Sequence, residues 1–558
     1  MTTRSWSIFR TVWSDAAFGV DARIIRCVAG LALVLLVAGC GGGGTGGSAA
    51  AGTGGTGGAG NSGSSGSTTT SGITYTPGLF LPYSTFAAQC ASPRSGIDPQ
   101  TGLAFPDRAG SVVAENHWLR AWTHDLYLWF DEVPDRDPGA TSAVAAYFEL
   151  QKTTSLLASG QAKDRFHFTY PTADWVSWSQ SGVDAGYGIT WGVVAATPPR
   201  RIVVQYTEPD TPAGWVSVGR GAEVLFVDGV DVVNDNTTAG VARINAGLFP
   251  ARVGESHSIT LRPRGAGTSS TYTWMAQAIT HNPVPVVRAV DTAGGRIGYL
   301  LFNDHLATAE KALVDAVNQL KAASIQDLVL DLRYNGGGYL DIANELAYMV
   351  AGPSQTAGRT FERIQFNSQH PVTDPVTGKA IVPDPFLSTT QGFGALPAGQ
   401  SLPTLGLSRL YVLTSPDTCS ASESVINALR GIGVQVVQVG GNTCGKPYGF
   451  YPADNCGTTY FSIQFRGVND AGFGDYPEGF SATRKTGAVQ ANLPGCGTPD
   501  DLGHELGDVA EGQFAAALAY RSGAACPAVV AGSQAATLPG GLAVRAGRQP
   551  WRQNRILR

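Results

Sequence analysis

From Arg296 onward the chain alternates short apolar runs with amphipathic stretches, and that alternation constrains the fold more than any other feature. Ile297-Gly298-Tyr299-Leu300-Leu301-Phe302 predicts a strand. Ala309 to Ala323 predicts a helix with Leu313, Val317 and Leu320 on one face. Leu328 to Leu332 is a continuous apolar strand interrupted only by Asp331, and Leu340 to Val350 is the next helix. Leu410 to Thr414 reads as a strand, Ser422 to Arg430 as a helix ending at Gly431, and Val434 to Val439 as a strand. This succession calls for a mainly parallel α/β sheet covered by helices. Ligand sites in such sheets lie at the carboxyl ends of strands, where the loops 333–338 and 415–421 fall.

The remainder of the 558 residues divides by composition. Arg23 and Arg26, the apolar run Val28 to Val37 and the small residues before Cys40 describe an export signal over 1–40. Residues 41–75 are almost all Gly, Ser, Thr and Ala and read as a flexible tether. Residues 76–175 read as a small helical domain, with aromatics at helical spacing from His117 to Trp129 serving as core. His117 and His124 lack an evident third ligand and read as structural. Residues 176–282 read as short strands, including Arg201 to Tyr206, Gly221 to Val230 and Ser258 to Arg262, with a short helix from Val241 to Leu248. The α/β core follows over 283–530. Residues 531–558 read as a disordered tail that ends basic, with Arg545, Arg548, Arg552, Arg555 and Arg558. A charged fraction of 15% and a net charge of −5 argue against a nucleic-acid partner. Six cysteines lie beyond the signal, Cys90, Cys419, Cys444, Cys456, Cys496 and Cys526. An even number in an exported chain suggests disulfides, and the sequence leaves their pairing open. No Cys-x-x-Cys or His-rich spacing argues for zinc, and no metal or nucleotide cofactor is implied.

The chemistry gathers around Thr418-Cys419-Ser420-Ala421-Ser422-Glu423 and Thr443-Cys444-Gly445-Lys446. A serine where a turn enters a helix can be a cap and nothing more. Here a lysine follows on the loop after the next strand, and a Gly-rich turn, Asn335-Gly336-Gly337-Gly338, follows another strand. Such a serine can attack a carbonyl while a lysine, desolvated enough to lose its proton, acts as the base. The amide of Ala421 and that of a glycine in the Gly-rich turn would receive the oxyanion.

These segments resemble the motifs of the carboxyl-terminal processing peptidases, or tail-specific proteases. Asp331-Leu332-Arg333-Tyr334-Asn335-Gly336-Gly337-Gly338, Ser420-Ala421-Ser422-Glu423 and Thr443-Cys444-Gly445-Lys446 occur in that family's order. The resemblance implies a crotonase/Clp-protease-like parallel-sheet core, a PDZ-like β-rich domain and a small N-terminal helical domain. It implies a serine endopeptidase with Ser420 as nucleophile, Lys446 as base, the amides of Ala421 and of Gly337 or Gly338 as oxyanion donors, and Glu423, Thr443 and Asn335 in support. Gly186-Tyr187-Gly188-Ile189 resembles a PDZ carboxylate-binding loop, which would take the end of an extended peptide. Where some members place a Gln four residues after the lysine, this chain has Phe450, so another residue must orient Lys446.

Val37-Ala38-Gly39-Cys40 resembles a bacterial lipobox, which implies a lipid anchor on Cys40 and, with Gly41 following, an outer-membrane location facing the periplasm. The expected partners are proteins or peptides with exposed C-terminal segments and the membrane bearing the anchor. A catalytically inactive peptide-binding adaptor on the same fold is the alternative. An acyl-thioester enzyme of crotonase-like fold is a third reading, disfavoured by export and by the Ser–Lys pair.

Overall fold

The computed structural model describes residues 74–99, 101–483, 491–526 and 555–557. The signal region with Cys40, nearly all of the tether, and the tail other than 555–557 lie outside the described residues. Helix α1 (Val112–Leu126) begins at Ser111, whose Oγ accepts from the Ala114 amide. It buries Trp118, Leu119, Trp122 and Leu126 against Tyr147 and Phe148 of α2 (Val144–Glu149). Strand β1 (Phe168–Pro171) leaves this helical unit and pairs antiparallel with residues 458–461 of the core. Together with the Cys90–Cys456 disulfide, that pairing fastens the unit to the core.

The β-rich region contains β2 (Val183–Gly186), β3 (Ile189–Ala195), β4 (Arg201–Thr207), β5 (Glu223–Val227) and β6 (Val230–Asp231). Helix α3 (Thr238–Leu248), β7 (Ser256–Arg262), β8 (Ser270–Met275) and β9 (Gln277–Thr280) complete it. Its sheet runs β8-β7-β5-β4-β3, so β3 is an edge strand among the described residues. Trp191, Ile202, Val204, Val224 and Ile259 face Ile244 and Leu248 of α3 in a core of their own.

The core sheet joins β10 (Val286–Thr292), β11 (Gly295–Leu301), β12 (Asp327–Asp331), β15 (Arg409–Thr414), β16 (Gln435–Gly440) and β20 (Gly495–Cys496) in that spatial order. Between them in sequence come α4 (Ala309–Ala322), β13 (Gly337–Tyr339), α5 (Leu340–Ala351), β14 (Thr360–Gln365) and α6 (Ala421–Gly431). Strands β17 (Tyr448–Gly449), β18 (Thr458–Phe461) and β19 (Phe465–Val468) precede β20, and α7 (Gly512–Arg521) and β21 (Arg555–Leu557) follow it. Only β10 is antiparallel to its neighbour; β11, β12, β15, β16 and β20 are parallel.

Because strand side chains alternate between faces, Leu328, Leu330, Leu410 and Val412 pack under α4, α5 and α6, while Val329, Tyr411 and Leu413 meet Phe514 of α7. Burying one such Leu or Val is worth about 1.5–3 kcal/mol, and both faces are covered in this way. The expected helices and strands of this core recur within a residue or two of their limits. No described helix is long and apolar enough to cross a membrane.

Candidate active site

Three loops leave neighbouring strands at their carboxyl ends and meet. The first follows β12 and leads through Asn335 into β13. The second follows β15 and enters α6 at Ser420. The third follows β16 and carries Thr443 to Lys446. The Cys419 amide donates to Asn335 O, the Ser422 hydroxyl donates to the same carbonyl, and the Cys444 amide donates to Thr418 O. The Cys419–Cys444 disulfide also joins the second loop to the third.

Ser420 is one of few non-glycine residues with left-handed backbone, at φ 61° and ψ −117°. Such a conformation costs on the order of 1–3 kcal/mol and persists where the surroundings enforce it. Ser420 is fully buried, and its Oγ has no hydrogen-bond partner among the described residues. Ala421 opens α6, where first-turn amides have no carbonyl one turn back to bond. An anion formed on Ser420's substrate would therefore meet a helix N-terminus.

Glu423 binds the second and third loops to each other. Its carboxylate accepts from the amides of Ser420 at 3.0 Å, Gly445 at 2.9 Å and Lys446 at 2.8 Å, and from the Thr443 hydroxyl at 2.5 Å. Burial pushes the Glu423 carboxyl above its ordinary range, against the downward pull of these donors. Thr443 Oγ1 in turn accepts from the Phe480 amide.

Lys446 is fully buried, with Nζ 4.0 Å from the centre of the Phe450 ring and 5.1 Å from that of Phe166. An apolar enclosure of this kind suits a lysine that must act as a base, whereas each ring face attracts the cation. Phe450 thus forms part of the wall against which the ammonium lies.

Asn335 holds the Gly-rich turn. Its Oδ1 accepts from the Gly337 amide and from His305 Nδ1, each at 3.0 Å, and its Nδ2 donates to Phe302 O. The Gly337 amide is therefore engaged by Asn335, whereas that of Gly338, the other expected oxyanion glycine, lies on the edge of β13 turned away from His305. Gly338 has φ 144°, and a Cβ there would stand 2.3 Å from His305 O, so only glycine fits. Burial pushes His305 down to about 3, which leaves it neutral at pH 7 with its hydrogen on Nδ1 facing Asn335. Sequence reasoning missed His305; its signal was the polar run Asn303-Asp304-His305 directly after a core strand.

Below the turn lies a buried ionic network. Arg333 bonds Asp331 through Nε, Glu511 at 2.7 and 2.8 Å, and Asp500 at 2.8 Å. Tyr334 Oη donates to Asp500 and accepts from Arg220, a residue of the β-rich region that also reaches Asp500 and the carbonyls of Gln205 and His504. Burial works to raise the Asp500 carboxyl, but the guanidinium groups of Arg333 and Arg220 hold it below its ordinary range. The β-rich region is thereby tied to the residue preceding Asn335.

The Gly186–Ile189 turn lies at the entry to edge strand β3. Gly188 has φ 81°, and a Cβ there would meet Thr211 Oγ1 at 2.1 Å. The buried Tyr187 donates from Oη to Gly247 O at the end of α3. Cys419, Glu423 and Cys444 present ligand atoms within 4.8 Å of one another, but the sulfurs form a disulfide and supply no thiolate for a metal. The pairings the sequence left open are Cys90–Cys456, Cys419–Cys444 and Cys496–Cys526.

Comparison with known proteins gives a consistent picture. The profile of peptidase family S41 matches residues 296–449. The carboxyl-terminal-processing protease of Picosynechococcus sp. is 25% identical over 268 residues, covering 48% of this chain and 56% of that protein. The chloroplastic carboxyl-terminal-processing peptidase 3 of Arabidopsis thaliana is 24% identical over 268 residues, covering 46% and 45%. The chain thus spans about half the length of these curated relatives. In fold it is similar to a crystal structure assigned to the S41 proteases, from Bacteroides fragilis, with a TM-score of 0.53, 20% identity, and coverage of 75% of this chain and 99% of that one.

Proposed function

We propose, from the match of residues 296–449 to the profile of peptidase family S41, that this chain is a serine endopeptidase in which Ser420 and Lys446 form the catalytic dyad. The observation that carries the reading is Ser420 itself, a buried non-glycine residue in left-handed backbone at a helix entrance, with an unengaged Oγ. Glu423 holds the amides of Ser420 and Lys446 on one carboxylate, which supports treating the two as one unit.

In this reading Lys446 Nζ, as the neutral amine, takes the proton of Ser420 Oγ as the oxygen attacks the peptide carbonyl carbon. The amides of Ala421 and Gly338 receive the oxyanion. Collapse of the tetrahedral species breaks the C–N bond, and the leaving amine takes its proton from Lys446. A water then attacks the acyl-enzyme, giving its proton to Lys446, and Ser420 leaves as the hydroxyl once reprotonated. Asn335, Thr443 and Glu423 are positioning residues.

The proposed substrates are envelope proteins with exposed C-terminal or unstructured segments. The open edge of β3 beside Gly186, Tyr187, Gly188 and Ile189 supports capture of such a segment as an added strand. Export and lipid anchoring through Cys40 in the outer membrane, facing the periplasm, complete the proposal and rest on the signal sequence.

The test is cleavage of an unstructured protein with an apolar C-terminal tail by the form beginning at residue 74, beside its Ser420→Ala variant. Cleavage by the parent alone is expected. Tail binding without cleavage by either form would replace the peptidase with the adaptor reading.

A further inference from the structure

The strand β13 has two edges, and each meets a different part of this chain. The His305 amide donates to Gly337 O at 3.2 Å and the Tyr339 amide donates to His305 O at 2.8 Å, forming a parallel bridge between His305 and Gly338. Successive residues of a strand turn their N–H and C=O to opposite edges, so these bonds leave both groups of Gly338 facing away from His305. On that second edge lies β21, parallel to β13, with Arg555 opposite Gly337, Ile556 opposite Gly338 and Leu557 opposite Tyr339. The same segment neighbours α6, which begins after Ser420, and β17, which begins two residues after Lys446. It therefore lies among the three elements that carry the proposed nucleophile, base and oxyanion donor.

We propose that the Gly338 edge is a binding site for an extended peptide in parallel orientation, and that its resident ligand is this chain's own segment Arg555–Leu557, held in cis. The inference rests on the reading of Ser420, Lys446 and Gly338 as the active site, and it adds which peptide occupies that site before a substrate arrives. Recognition through the backbone of Gly337 and Gly338 tolerates many side chains, as a processing site must, and the tail supplies an Arg-Ile-Leu sequence to it. Residues 527–554 connect the last residue of the core to β21; at about 3.3 Å per extended residue they reach across any domain of this size. Covalent linkage makes the binding intramolecular, with an effective concentration on the order of mM where linkers are flexible. A site with a dissociation constant of the same order is then about half filled by the tail, and exogenous substrates must compete with it.

The experiment compares three proteins on one unstructured substrate: the chain from residue 74, the same chain lacking 545–558, and the chain from residue 74 carrying Leu557→Pro, which keeps charge and length but removes the amide that pairs with the Gly338 carbonyl. Both altered forms are expected to show a KM lower by about twofold or more with kcat unchanged, the factor expected when the competing ligand's effective concentration matches its dissociation constant. A synthetic peptide of residues 549–558 should raise the KM of the truncated form competitively, and the difference between forms should not depend on enzyme concentration. Equal KM in three active proteins would overturn the tail as ligand while leaving the peptidase intact. A KM difference that grows with enzyme concentration would overturn binding in cis. If none of the three cleaves, the peptidase reading fails separately. Anisotropy of the labelled peptide on the truncated Ser420→Ala form then decides the site: weaker binding to a form also carrying Gly338→Val upholds it, and equal binding to the two forms, or no binding to the form that keeps Gly338, overturns it.

Discussion

Two glycine-containing turns are held in opposite ways. Around Asn335–Gly338 most polar groups are engaged: Asn335 uses Oδ1, Nδ2 and its carbonyl, Glu423 accepts four hydrogen bonds, and a disulfide joins the adjoining loops. At Gly186–Ile189 the Tyr187 and Gly188 carbonyls are engaged, but the strand that follows is left as an edge. A site for covalent chemistry gains from groups fixed before the reaction begins. A site that adds a peptide strand must keep a row of backbone groups free. The protein accordingly concentrates its buried charges and cross-links at the first turn and leaves the second open.

The largest effect that sharpens this contrast is on turnover. Ser420→Ala and Lys446→Met should each lower kcat by about 10³-fold or more, with melting temperatures close to the parent's. Full activity in either folded variant would break the assignment of chemistry to the first turn. Next is Glu423→Ala, which strips the buried amides of Ser420, Gly445 and Lys446 of their acceptor. At about 1–3 kcal/mol per orphaned group, a destabilisation of roughly 3–5 kcal/mol is expected in urea titrations. The paired substitution of Cys419 and Cys444 by Ala opens a short covalent loop and should cost about 3 kcal/mol, with a loss of activity that a mere surface staple would not produce. The second turn should respond differently. Gly188→Ala, opposed by Thr211 and by a positive φ, should destabilise by about 1–2 kcal/mol and raise KM for long substrates while leaving kcat on a short peptide unchanged.

The smallest effect is on pH dependence. Glu423 is held above its ordinary pKa, chiefly by burial. A carboxyl raised in the folded state contributes stability that is fully present below its unfolded value, near 4.5, and is lost as pH rises through the folded value. The parent should therefore lose stability relative to Glu423→Gln as pH increases from about 4 toward neutrality. An unchanged difference in urea midpoints across that range would show that the donors around Glu423 outweigh its burial.

Much of this was legible in the chain. Local patterns carry helix and strand periodicity, so the alternation of the core, the three site loops and the edges of α4, α5 and α6 could be read directly. Ser420, Lys446 and the Gly-rich turn were legible as residues of a type and order suited to acyl transfer. The role of Glu423 was visible only as support for its neighbours; that it accepts from the amides of both Ser420 and Lys446 depends on two loops meeting across a sheet. The ion pairs of Arg333 with Glu511 and of Arg220 with Asp500 join residues far apart in sequence, and no local pattern announces them.

The sequence by itself determined the order of elements, the serine and lysine proposed as reacting groups and the glycines that let backbone come close, because these follow from side-chain chemistry and short-range periodicity. Tertiary structure alone decided which cysteines pair, which glycine amide Asn335 takes, what surrounds Lys446, and that residues 555–557 lie beside Gly337–Tyr339. Each of those depends on surfaces brought together by burial of the core, and a hydrogen bond or disulfide forms only where that packing has already set the distance.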